Sequence, residues 1–263
     1  MAIIKKEYVH GTHWSTVINQ DKEMPEILVK TLHDKNGDVY ISDDSQNSGF
    51  IGYEPPVRVL VLSQVDKANK NLDVISAYPF LYVYNPVSII IEKIEEWPNG
   101  LEATIHGITP IGSILGFFDT LYYLNKDKYK IGSKYTFNIS ALAYSILKRS
   151  EYSESIAKKG PIKGEKFESS GLSGYIPSEN YIDDISFYFP FDKFDKKIKF
   201  RNSFFYKMSF KLYSLKEDGR FISFPIFIRK EVLSGYKPLK RDPIMGTAWL
   251  QGYLLGNYTS ILS

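Results

Sequence analysis

The chain has 263 residues, 15% of them aromatic, with 33 basic and 30 acidic side chains and no cysteine. That length buries enough apolar surface to fold without covalent staples, and the missing cysteine excludes disulfides, zinc-thiolate sites, iron-sulfur clusters and thiol nucleophiles. The net charge of +3 hides an asymmetry: residues 1–130 carry 12 Lys or Arg against 17 Asp or Glu, the remainder 21 against 13, so the second half suits an anionic partner.

The opening MAIIKKEYVHGTHW lacks the long apolar stretch of a signal peptide. Pro79, Asn85 and Pro86 interrupt the apolar run from Ala77 to Ile94, well short of a membrane span. A soluble, cytoplasmic protein with no membrane partner is the expectation. Strands are predicted over residues 3–9, 27–31 and 39–42, with Lys35, Asn36 and Gly37 turning between the last two and a polar loop over 43–49. Val57 to Val65 and Leu72 to Tyr84 are β-branched and aromatic runs, read as further strands.

The clearest hairpin runs from Ser88 to His106, turning at Trp97-Pro98-Asn99-Gly100. In its second arm Leu101, Ala103 and Ile105 alternate with Glu102, Thr104 and His106, which predicts one buried and one solvated face. Ile114 to Phe118 follows as a strand, then a short helix capped by Asp119 or Thr120 and ended before Gly132, then strand periodicity at Tyr135, Phe137, Ile139, Ala141 and Ala143. Residues 141–158 fit a strand or a helix. From Ser153 to Glu179 the composition turns to Ser, Gly, Lys and Glu, the mark of a linker or mobile insert. Tyr181 to Phe191 restores the aromatic pattern, and Thr247 to Leu254 reads as a last strand.

Short strands at close spacing predict a mostly β fold, a barrel or sandwich rather than βαβ units. The order from Ser88 to Ile146, a long hairpin, a third strand, a short helix and a further strand, resembles an OB-like barrel, here with additional strands and one or two short helices. An N-terminal β-rich region over 1–86 and the barrel region over 87–263 are the expected divisions, within one continuous domain or as two. The segment from Asp242 to Leu254, with Asp183-Asp184-Ile-Ser-Phe-Tyr-Phe-Pro before it, is similar to sequences in uncharacterised bacterial proteins; that resemblance implies no activity and carries no site residue across.

Catalytic motifs are sparse. His10 and His13 stand three apart, but Gly11 and Thr12 between them disfavour a helix that would aim both at a metal, so a solvated turn is expected. His33 and His106 are isolated. The carboxylate pairs Asp43-Asp44, Glu95-Glu96 and Asp183-Asp184 are adjacent, and neighbours in a strand point to opposite faces, which predicts turn or solvent-facing roles. A Gly-x-Ser-x-Gly elbow and a Walker A loop are absent, and the glycines at 160–164 and 171–174 precede no convincing helix. No catalytic residue, metal or cofactor is assigned.

Two strands near the C-terminus carry the best lead. Phe204 to Tyr213 and Phe221 to Lys230, joined at Glu217-Asp218-Gly219, each present an apolar face and a second face of aromatic and basic residues. Phe205, Lys207, Lys211, Tyr213, Phe227 and Arg229 are the candidate ligand- or partner-binding residues. The expectation is a non-catalytic binding or assembly module that self-associates or meets another protein through this face. Binding of single-stranded nucleic acid and a hydrolase with dispersed His and acidic residues are the alternatives.

Overall fold

The computed structural model describes residues 3–5, 13–18, 23–41, 47–54, 57–66, 71–147, 173–214 and 218–256, and these are mostly β. The first sheet is antiparallel in the order β2 (Asp38–Ile41), β3 (Asn47–Glu54), β4 (Val57–Val65), β5 (Leu72–Leu81). The first seven residues of β4, Val-Arg-Val-Leu-Val-Leu-Ser, are all buried, as a strand covered on both faces requires. Gly49 and Gly52 of β3 show what covers it. A Cβ on Gly52 would meet Thr31 Oγ1 at 2.8 Å, and one on Gly49 would meet the Tyr123 hydroxyl at 2.6 Å.

Thr31 lies in α1 (Glu23–Leu32), where a strand over 27–31 was expected. Met24, Ile27, Leu28, Thr31 and Leu32 recur at helical spacing, Glu23 and Glu26 favour the positive end of the helix dipole and Lys30 the negative end, and Pro25 is tolerated in the first turn. Strand β3 was likewise expected as loop over 47–49. Its Asn, Ser and Gly are polar, but they pair with Gln64, Ser63 and Leu62 of β4.

The second sheet is larger and mixed. It contains β6 (Pro86–Glu96), with the short β1 (Ile3–Lys5) parallel beside it, then β7 (Ala103–Ile108) and β8 (Ile114–Asp119). After α2 (Tyr122–Asn125) and a turn of 3₁₀ helix comes β9 (Lys134–Leu147), which returns to pair with β6. Next are β10 (Gly174–Pro177), β11 (Asp184–Pro190), β12 (Lys196–Phe200), β13 (Ser203–Tyr213), β14 (Phe221–Arg229) and β15 (Pro243–Leu254). Strand β10 falls inside the expected linker. It forms because Tyr175 and Ile176 pair with Phe187 and Ser186 of β11 and the Tyr175 hydroxyl donates to the Ile114 carbonyl. Residues 148–172 lie outside the described residues, as do His10 and Glu217.

Strands β6, β7, β8, β15 and β9 follow one another by backbone ladders and return to β6, but the ring is uneven. Strand β15 runs antiparallel to β9 from Met245 opposite Leu147 to Leu254 opposite Phe137, whereas it meets β8 in parallel only at Gln251–Phe118 and Gly252–Asp119. Besides pairing with each other, the two longest strands each serve two further neighbours: β9 takes β6 and then β14, β15 takes β11 and then β8. The extra strands β10–β11 and β14–β13–β12 thus flank the ring on both sides.

One core fills the ring and continues under these flanks, from Ile89, Ile105, Phe117 and Phe137 to Phe187, Phe189, Phe210 and Phe224. Phe189 meets Phe210 edge-on at 5.5 Å, so the flanks curl toward each other. A second core lies between the two sheets, joining Leu60, Leu62, Tyr78 and Phe80 to Trp97, Phe118, Leu142, Phe205, Phe227 and Trp249. Each fully buried ring is worth roughly 2–3 kcal/mol against exposure. Polar links cross the same boundary: Leu81 N donates to Gln251 Oε1 at 2.8 Å, Tyr78 to Thr120 O at 3.0 Å and Tyr253 to Val83 O at 2.9 Å. Regions 1–86 and 87–263 therefore share a core. The second arm of the 88–106 hairpin departs from its expected pattern: Glu102 and Thr104, expected in solvent, are 1% and 0% exposed, with Ser76 of β5 donating to Glu102.

Candidate functional site

The hairpin β13–β14 pairs from Phe205 opposite Arg229 to Tyr213 opposite Phe221. Beyond it Gly219 adopts φ +69, a conformation glycine takes without strain. One face, with Met208, Phe210, Leu212, Ile222, Phe224, Ile226 and Ile228, is buried in the first core. The other face changes character along its length. At the base, Phe205 and Phe227 are 0% and 1% exposed, packed with Phe200, Leu142 and Trp249 in the core between the sheets. Arg229 is also buried there, its Nε 3.7 Å from Glu231; burial lowers its pKa, while Glu231 and Glu23 oppose the shift. Toward the tip the first sheet no longer covers this face. Lys211 and Tyr213 are exposed and Lys207 half-buried, and across from Tyr213 stands Phe221, exposed by 47%.

The six candidate residues thus split. Phe205, Phe227 and Arg229 are enclosed by the chain itself, and Lys207, Lys211 and Tyr213 remain on the surface. Alternation assigned all six to one face correctly as a register, but it carries no information on how far a second layer reaches along that face. Two residues join the open half that sequence reasoning did not select. Lys196 of the edge strand β12 lies directly opposite Lys207, and Phe221 packs on Tyr213 with centroids 5.5 Å apart and planes 50° inclined. The run Lys193 to Lys199 was the available signal for β12: four lysines spaced among Phe194, Ile198 and Phe200.

The electrostatics of the open half are cationic. Lys211 Nζ sits 5.1 Å from the centroid of Phe221, and Lys197 Nζ 4.1 Å from that of Phe204 on the opposite face. Asp218 at the turn is bound by Arg220 at 2.7 Å and 2.6 Å, which holds its carboxyl below the usual range. Arg220 Nη1 also donates to Pro110 O, and Asn85 Nδ2 to Ser223 O, so the tip is fastened to the β7–β8 turn and the chain after β5.

A second polar cluster lies where β9 bulges. Thr247 stands opposite Ser145 and Ala248 opposite Ala143, leaving Tyr144 as the extra residue, and bulges re-aim side chains. The Tyr144 hydroxyl donates to Asp184 Oδ1 at 2.8 Å and hydrogen-bonds His13 Nδ1. His13 stacks on Trp249, whose indole N–H donates to Asp183 Oδ2 at 3.2 Å; Thr104 donates to the other oxygen at 3.5 Å. This corrects two expectations: His13 is half-buried against an indole, and Asp183 is fully buried. Both point inward because the bulge and β15 supply aromatic and donor partners from distant sequence. Burial and Asp184 raise the Tyr144 pKa far above the ordinary phenol value, so the side chain is a neutral donor, not a base.

The described histidines, His13, His33 and His106, do not converge. His33 Nδ1 faces Val29 O at the end of α1, and His106 lies on β7 with Nε2 3.4 Å from Glu95. Among the described residues no three His, Asp or Glu side chains are grouped to hold a metal, and no helix is long and apolar enough to cross a membrane. Asp119, at the end of β8, is buried and pushed up to about 7 by desolvation, against hydrogen bonds from Tyr129 at 2.5 Å and Leu121 N at 3.1 Å. It orients the chain into α2.

No family model matches this chain, and no curated protein or solved structure was found to match it.

Proposed function

We propose that the chain is a non-catalytic binding module that holds an anionic polymer on the open half of the β13–β14 face, beside an OB-like barrel formed by β6, β7, β8, β15 and β9. The barrel reading is supported by the strand order, by the parallel meeting of β8 with β15, and by a helix between the third and fourth ring strands. An OB barrel offers its ligand a face framed by its first turn. Here Trp97 and Leu101 of that turn are buried under the first sheet, which moves the accessible surface to the hairpin.

The observation that carries the reading is the opposition of Lys196 and Lys207 in a row that continues to Lys211. Like charges directly opposite one another across strands are destabilising, and an anion laid between them removes that cost. Self-association is the weaker reading. Phe205 and Phe227, the aromatic residues best suited to an interface, already pack inside the chain, and a two-fold pairing of the remaining surface would set lysine against lysine. Fluorescence anisotropy of a labelled oligothymidylate over a salt series tests the proposal. Affinity that falls with salt supports it, and no binding at low salt refutes it.

A further inference from the structure

We infer that the polymer is a single-stranded nucleic acid and that one of its bases stacks on the Tyr213–Phe221 pair at the end of the lysine row. This rests on the reading above and adds the ligand class.

Edge protection is the competing explanation for the lysines, and it accounts for part of them. Strand β12 is the outer strand of its side of the sheet, and Lys196, Lys197 and Lys199 there discourage pairing with another chain. Strand β13 is not an edge: it is paired on one side by β12 and on the other by β14. Lys207 and Lys211 therefore protect nothing, and they point to the open face.

An anion without bases would need only those lysines. The row instead ends in two aromatic rings, exposed by 38% and 47%, that belong to neither core. Lys211 lies against one of them, so cation and ring surface are offered together. With a strand rise of about 3.4 Å per residue, Lys211 and Tyr213 stand roughly 7 Å apart and Lys207 and Lys211 roughly 14 Å, an extended track rather than a pocket. Single-strand binders combine these parts: cations that follow the backbone and rings that take bases. A duplex keeps its base faces inside the stack and cannot use the rings. The remaining open side chains of the row, Ser209 and Ser223, are small and carry no amide or carboxylate to read a base edge, so stacking without sequence preference is the expected mode.

The test compares a labelled oligothymidylate, an abasic strand of equal length and a duplex, all at low salt, on the full chain and on Tyr213→Ala, Phe221→Ala and Lys207→Ala/Lys211→Ala. The inference predicts that the oligothymidylate binds at least about fivefold more tightly than the abasic strand. Tyr213→Ala and Phe221→Ala should erase that difference without weakening the abasic strand, and the double lysine variant should weaken both. Equal binding of the two strands, or preference for the duplex, overturns this inference and leaves the polyanion reading standing. Absence of any binding overturns both. A concentration-dependent dimer abolished by Phe221→Ala would assign the rings to a second copy of the chain and also overturn it.

Discussion

The imidazole of His13 lies on the indole of Trp249, with ring centroids 4.0 Å apart and planes 14° from parallel. The next residue, Trp14, donates its indole N–H to Ala77 O of β5 at 3.0 Å. Two successive residues thus clip the N-terminal segment to both sheets at once, one through β15 and one through β5. Tyr144 completes the clip by bonding His13 and Asp184 with one hydroxyl.

Removing His13 by His13→Ala should cost about 1–2 kcal/mol, the worth of an aromatic contact plus a hydrogen bond. Tyr144→Phe should cost about 1 kcal/mol. Because the two share one interaction, the double variant should cost less than the sum. Urea midpoints at unchanged m-value measure all three, and strict additivity would show that the residues do not act together.

The division of the hairpin face predicts opposite behaviour for residues that the alternation treats alike. Phe227→Ala opens a cavity between two sheets and should destabilise by about 3–5 kcal/mol, with Phe205→Ala in the same range. Tyr213→Ala and Lys211→Ala, at the open end, should stay within about 0.5 kcal/mol of wild type. Thermal or urea unfolding of the four variants decides it.

Much of this architecture was legible from residues alone. The hairpins around Trp97 and Gly219, and the strands at Val57 and Thr247, announced themselves by β-branched and aromatic runs between turn residues. What escaped was set by partners far along the chain. Residues 27–31 hold three β-branched residues at alternate positions, Ile27, Val29 and Thr31, yet the helical spacing that includes Met24 and Leu32 prevails over the expected strand. Glu102 looked solvent-facing until Ser76, 26 residues away, covered it. Asp183 and His13 looked like turn residues until Trp249 lay between them. At the candidate site the open lysines and Tyr213 were readable from the pattern, and the burial of Phe205, Phe227 and Arg229 was not, since periodicity reports a face and not its cover.

Asp119 should make stability depend on pH. Its carboxyl titrates near 7 when folded and near 3.8 in the unfolded reference, so between these values the folded chain holds a proton that the unfolded chain has released. Stability is then fully present below about 4 and declines as pH rises to about 7, by on the order of 4 kcal/mol from this group. Asp119→Asn keeps an acceptor for Leu121 N and removes the titration. The stability of wild type relative to the variant, followed by urea unfolding from pH 4 to 8, should be greatest at pH 4 and fall steadily as pH rises to about 7. A pH-independent difference would contradict the shift.

Gln251 accepts from Leu81 N at the seam between the sheets and is 1% exposed. Gln251→Ala should leave that buried N–H unpaired at a cost of about 1–3 kcal/mol. Amide hydrogen exchange at Leu81 should accelerate in the variant while exchange at the Ile105 amide, inside the ring, changes only in step with global stability.

The salt dependence of oligothymidylate binding in wild type and in Lys207→Ala/Lys211→Ala tests the role of the lysine row most directly. Each lysine that neutralises a phosphate on a single strand contributes about 0.7 to the slope of log K against log salt. Wild type should bind at low salt with a clear negative slope, and the double variant should lose roughly 1.4 of it. No binding at low salt, or a slope that the two substitutions leave unchanged, would contradict the assignment of this face to an anionic polymer.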